Sequence, residues 1–284
     1  KALTRILPSV SIHWVHDGFA LQIAVSIERE AVVACDYAGP QSGCAGRYVP
    51  RGVGMHPHCA VETVTIVYQG AHPGTAGNGG VWPDGHRTTA GAGVLHEEFT
   101  AGIESGGMPE MAELWVKLPA RDKLCAPANQ DRLGKGPAVA LGNDAGEGRV
   151  TAGGTRPGAH PYGVQRMEGE AECRRLAAFA FATAGRAVVR AVCRQRQPHL
   201  AIEAALFGHP GMTSPLDAQT GYNGLLLSGM PLEQPIARHG LFVMNTRQAC
   251  SEAVDELRRG ACTGPLLPVR AWLMRVAEPV CARR

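Results

Sequence analysis

His56-Pro57-His58 and His96-Glu97-Glu98 are the two short stretches whose residue types and spacing can do chemistry. On a strand, residues two apart share a face, so each stretch offers a pair of donors to one side: His56 with His58, and His96 with Glu98. Two such pairs on neighbouring strands can converge on one ion. Three neutral imidazoles and one carboxylate leave one or two coordination positions open, which a catalytic metal needs and a structural one does not. Mixed nitrogen and oxygen donors suit Fe(II), and also Cu, Ni, Mn or Co.

The elements that would position these donors are strands. Of 284 residues, 36 are glycine and 20 proline, which disfavours long helical bundles and favours short strands joined by tight turns. Glycine is concentrated where the motifs are: residues 39–107 hold 16 of the 36, as expected for loops of one barrel in which strands approach closely. Val61 to Tyr68 reads VETVTIVY, rich in β-branched residues and free of breakers, and is the clearest strand. GTAGNGG at 74–80 reads as a hairpin turn on Asn78-Gly79. Further strands are expected at Glu113–Leu118, Val188–Val192 and Leu225–Leu227, with a linker from Asp131 to Gly148 between two halves. One helix is specified near the end. Asn245 stands as its cap with Gln248 three residues on, and Cys250, Ala253, Val254 and Leu257 form one buried face. Arg258 and Arg259 suit its negative end, and Gly260 its stop.

Composition excludes several function classes. Hydrophobic residues make up 45% and charged residues 19%, enough apolar content for a core, so global disorder is excluded. A net charge of +3, from 28 basic and 25 acidic residues, gives no electrostatic footprint for nucleic acid. Arg186, Arg190, Arg194 and Arg196 then read as a solvated stripe. No run of 18 apolar residues occurs, so no transmembrane helix is expected. Nine cysteines without a C-x-x-C spacing read as reduced thiols of a cytoplasmic protein. Gly134-Lys135-Gly136 lacks P-loop spacing, and no G-x-S-x-G elbow is present.

Longer motifs carry a family resemblance. HPHxxxETVT from His56, TAGxGxxHxE ending at Glu98, and LWVKLPARDK at Leu114–Lys123 are similar to the pirin family of the cupin superfamily, as is LLLSGMPLEQPIARHGLFVMNTR at Leu225–Arg247. The resemblance implies an all-β fold of two tandem cupin (double-stranded β-helix, or jelly-roll) barrels with a short C-terminal helix. It implies an N-terminal metal-binding cupin domain at 1–133 and a C-terminal cupin domain at 134–284. Carried over residue by residue, the metal ligands are His56, His58, His96 and Glu98, with Glu98 also the catalytic base, and the metal is Fe(II). Ordinary cupins place a glutamate ligand where Glu62 stands, and His86 follows a remnant of their second motif, so these two remain alternative ligands.

The implied activity is oxidative ring cleavage of a flavonol such as quercetin with O2, as a quercetin 2,3-dioxygenase-like oxidoreductase. The alternative it implies is a non-enzymatic, iron-binding, redox-sensing co-regulator with a protein partner. The partners expected are thus a flavonoid-like small molecule and O2, with no direct nucleic acid and no membrane. The expected state is a monomer in the cytoplasm, or the nucleus for a eukaryotic chain. The chain departs from the family at Cys59, which alternates away from the ligand face, and at His86-Arg87-Thr88, where the family carries a tryptophan and a methionine at the pocket.

Overall fold

The computed structural model describes side chains at residues 53–67, 86–98, 113–129, 232 and 234–260, and backbone alone in the strands outside these ranges. Among the described residues the elements are β-strands, one 3-10 turn (Ala120–Asp122) and one α-helix (Arg247–Arg258). The chain divides into two compact units. One comprises Lys1–His13, Leu21–Tyr37 and Arg132–Glu233; the other comprises Trp14–Ala20, Ala38–Asp131 and Gln234–Arg284. The second therefore unites both histidine motifs with the end of the chain.

In the first unit, Leu3–Leu7, Glu203–Phe207, Val188–Gln195, Tyr222–Gly229, Tyr162–Gly169, Gly146–Ala152 and Ala138–Leu141 lie side by side in that order, all pairs antiparallel. The strands expected at 188–192 and 225–227 are the middles of two of these. Residues 131–148, expected as a linker, instead contribute a strand pair, with Ala138 opposite Arg149 and Leu141 opposite Gly146. The pair lies at the sheet edge, where charge and glycine are tolerated and protect against further pairing. That is why the segment looks broken in sequence. Arg190 and Arg194 fall on the strand Val188–Gln195; their side chains, and all of Arg186 and Arg196, lie outside the described residues.

In the second unit, Val61–Gln69 lies between Gly85–Thr89 on one side and Glu110–Lys117 on the other. Its β-branched residues suit a pleated surface covered on both faces. Val64 and Ile66 are buried on one face, and Thr63 and Thr65 on the other. A second sheet pairs Arg51–His58 with Val94–Thr100, followed by His72–Gly74 and Gly80–Trp82. The last two pair across Gly74 and Gly80, bracketing the expected hairpin turn; residues 75–79 themselves lie outside the described residues.

The C-terminal helix buries the expected face. Cys250, Ala253, Val254 and Leu257 pack with Cys59, Ala60, Leu95, Phe242 and Met244. A fully buried Leu or Val side chain contributes about 1.5–3 kcal/mol, so this cluster anchors the helix beside the His58 strand. The cap is one residue later than expected. Thr246, with extended backbone, accepts from Ala249 N at 3.1 Å, while Asn245 donates to Pro235 O at 3.0 Å and Gln248 to Glu252 at 2.9 Å. Asn245 is drawn off by the preceding segment, so the next hydroxyl caps. Gly260, at φ +76°, ends the helix in the left-handed conformation glycine permits.

Candidate metal centre

The strands Arg51–His58 and Val94–Thr100 run antiparallel with His96 directly opposite His56 and Val94 opposite His58. Side chains two apart on one strand, and opposite across the ladder, share a face, so three imidazoles meet. Ligand atoms of His56, His58 and His96 all lie within 4.8 Å of one another. Their ring centroids are 4.2 to 5.0 Å apart, edge to face, and all three are buried. The register shifts between His96 and Glu98, and Glu98 reaches the group's edge, with Oε2 3.6 Å from His56 Nε2.

Neighbouring groups orient these rings. His56 Nδ1 lies 2.9 Å from Gly54 O, so its proton sits there and Nε2 turns its lone pair inward. Fixing the tautomer through the outer nitrogen is how proteins prepare an imidazole for a metal. His96 Nε2 faces His56 Nε2 at 2.7 Å. Trp115 stands edge-on to His58, centroids 4.9 Å apart, and donates its indole N–H to Glu113 Oε1 at 3.0 Å.

The residues present fit a divalent cation. Burial, and then the charge of His56, hold His58 well below the ordinary histidine range, so it is neutral with a lone pair to give. Neither of its buried ring nitrogens has a hydrogen-bond partner among the described residues. Buried polar atoms of this kind call for a partner, and an ion among the three rings supplies one. Burial, and then the Glu113 charge, push the Glu98 carboxyl well up. Two buried carboxyls beside the buried imidazoles form a site that a cation relieves.

The two alternative ligands take other places. Glu62 sits on the other face of its strand, with Oε2 accepting from Thr89 at 3.0 Å and Oε1 3.5 Å from Arg87 Nε. His86 is buried opposite Thr65, and the group of convergent donors comprises His56, His58 and His96, without Glu62, His86 or Glu98. Cys59 belongs to the apolar cluster, as its alternation implies. Arg87 turns away from the histidines toward Glu62, so of the two changed pocket positions only Thr88 shares the face of Thr63.

Trp115 and Lys123 lie within the LWVKLPARDK motif and Glu113 just before it, and none of the three carried an expected role. Polar or aromatic residues at alternate positions of an apolar strand, as in Glu113-Leu114-Trp115-Val116-Lys117, were the available signal.

The pirin family's sequence model matches residues 22–116, and that of the pirin C-terminal cupin domain matches 169–263. The chain is 34% identical over 288 residues to a Pseudomonas aeruginosa protein named provisionally as a quercetin 2,3-dioxygenase, covering 92% of this chain and 98% of that one. It is 32% identical over 224 residues to a pirin-like protein of Caulobacter vibrioides, covering 72% and 78%. Among solved structures, a quercetin 2,3-dioxygenase from Acinetobacter baumannii matches with a TM-score of 0.78 at 28% identity, over 92% of this chain and 98% of that one. A bacterial pirin from Escherichia coli in complex with nickel(II) matches with a TM-score of 0.54 over 80% and 100%, and its 16% identity speaks to fold alone. With two cupin domains in an otherwise all-β chain and a short C-terminal helix, this chain belongs to the pirin family of bicupins.

Proposed function

We propose that the chain is a metal-dependent dioxygenase that cleaves the ring of a flavonol such as quercetin. The observation that carries this reading is the convergence of three buried imidazoles, with a carboxylate at their edge. In this reading His56, His58, His96 and Glu98 hold the ion, and the N-terminal cupin domain is the metal-bearing one. Fe(II) is the ion assigned, and Ni, Cu, Mn and Co suit the same donors. When bound, the ion supplies Lewis-acid polarisation of the substrate's enol oxygen.

The chain's own residues do the rest. Glu98, beside the histidines, is placed to take the proton of the flavonol 3-hydroxyl, the work of a general base. Glu113 and Trp115 hold the His58 ring in its orientation, as outer partners of metal ligands do. Dioxygen is the oxidant, and the ring opens with loss of carbon monoxide. The relatives' names support a small-molecule substrate, and the chain needs no flavin or nicotinamide. Among the described residues no helix is long and apolar enough to cross a membrane and no disulfide occurs; the proposed setting is the cytoplasm.

The test is elemental analysis of the purified protein together with quercetin consumption and carbon monoxide release. Metal-dependent consumption with carbon monoxide is expected. Bound metal with no turnover across a flavonol panel would overturn the enzyme reading in favour of a metal-binding regulator with a protein partner.

A further inference from the structure

Beside the three histidines, one sheet face carries an unusual set of buried polar groups. Register places His86, Thr65 and Glu113 in one row across three adjacent strands, and Thr88, Thr63 and Trp115 in the next. Directly opposite residues share a face, so all six point the same way. Five are buried, with His86, Thr63 and Thr65 each only 1% exposed. The row adjoins the proposed metal centre, because Trp115 touches His58 and Glu113 holds Trp115.

The other face of the same strand packs Val64 and Ile66 in the core, with Glu62 bonded to Thr89 and near Arg87 at its start. A β-sandwich strand has no structural need for hydroxyls on its second buried face. Thr88 has a partner, donating to Asn129 Oδ1 at 3.1 Å. The hydroxyls of Thr63 and Thr65 have none among the described residues. Leaving a buried hydroxyl unmatched costs about 1–3 kcal/mol, and valine would have filled the same volume without that cost. His86, which burial lowers to about 4, is a neutral imidazole near pH 7, with one donor and one acceptor. Thr88 is also a position where the chain departs from its family's pocket sequence toward a polar side chain on this face.

We infer that Thr63, Thr65 and His86 form a recognition row that reads hydroxyl groups on the part of the substrate remote from the enol oxygen at the metal centre. The ligand class is a planar, polyhydroxylated aromatic, rather than one carrying the 3-hydroxy-4-keto pair alone. This rests on the flavonol reading above. Hydroxyls offer a donor and an acceptor each, which matches threonine and neutral histidine group for group. A site built to hydrogen-bond a substrate hydroxyl rejects an analogue lacking it, because its own polar groups stay unmatched.

The experiment measures anaerobic dissociation constants of the metal-loaded protein for quercetin and for 3-hydroxyflavone, which keeps the chelating pair and lacks the other hydroxyls. Wild type should prefer quercetin. T63V and T65V should each cut that preference about three- to tenfold, the loss of one neutral hydrogen bond, with metal content unchanged. T65S should restore it, and H86Q reports from a second strand should T65V fold poorly. The valine variants should also melt at or above the wild-type temperature, since each removes an unmatched hydroxyl. A quercetin preference unmoved in T63V, T65V and H86Q would overturn this inference alone, and lower melting temperatures with it would assign the hydroxyls to internal waters. Metal-loaded wild type that binds neither flavonol would overturn the flavonol reading and this inference with it.

Discussion

Lys123 is the least expected stabilising contact in the second unit, and K123M tests it. The lysine follows the 3-10 turn Ala120–Asp122 and is only 4% exposed. Its Nζ donates to Val243 O at 2.6 Å and to Ala60 O at 3.3 Å, tying the stretch after His58 to the strand Phe242–Met244. Methionine keeps the length and removes both donors. Two charge-assisted bonds are lost, and the desolvation of a buried ammonium is recovered in part. The net loss should be about 1–3 kcal/mol, or roughly 3–10 °C in melting temperature for a unit of this size.

Burial, with the charge of Lys117 next, lowers Lys123 to about 8 against the opposing influence of Cys59 and Cys250. The native state therefore releases its proton before the unfolded state does. Between pH 8 and the ordinary lysine value near 10.5 the unfolded chain binds more protons, so this residue's contribution rises with pH, by at most about 1.4 kcal/mol per unit. It is complete above the ordinary value and is lost as pH falls through about 8. Urea unfolding of wild type and K123M from pH 7 to 10 should thus give a deficit that widens with pH. A deficit below about 0.5 kcal/mol, or one that narrows as pH rises, would refute the reasoning.

Ala60 holds a left-handed φ of 60°, so A60G should stabilise by about 0.5–1 kcal/mol, read as a rise in urea midpoint. Gly91, at φ +50°, has the Cys125 carbonyl where a methyl would go, and Ala92 N bonds that same carbonyl at 2.9 Å. G91A should therefore cost about 2–4 kcal/mol by denaturant titration. W115F removes the bond to Glu113 and alters the ring against His58, and should weaken metal binding about tenfold or more in competition with a chelator. Its melting temperature should move little.

Local chemistry was legible from the chain alone wherever it depended on near neighbours. His56 and His58, His96 and Glu98, the β-branched run after Val61 and the apolar face Cys250–Leu257 each obey a period of two or of 3.6, and the structure puts each on the expected element. What stayed hidden depends on tertiary partners, some ten residues away and some more than a hundred. Asn245 has the right chemistry for a cap, but Pro235 claims its side chain. The segment at 131–148 reads as a linker because the glycines and charges of its strand pair lie at a sheet edge. Lys117 looks like a surface charge on an apolar strand, yet it donates to Gln234 O and Pro235 O at 3.1 and 2.8 Å. No periodicity encodes a contact across more than a hundred residues.

The central claim is that His56, His58, His96 and Glu98 hold a metal ion, and elemental analysis of wild type against H58A after identical loading with Fe(II) tests it most directly. His58 is the choice because neither of its ring nitrogens has a hydrogen-bond partner among the described residues, so its removal leaves the hydrogen bonds described here intact. Wild type should hold stoichiometric metal, and a folded H58A should lose it. Metal retained by H58A at the wild-type level, or a wild-type protein that takes up none, would contradict the claim.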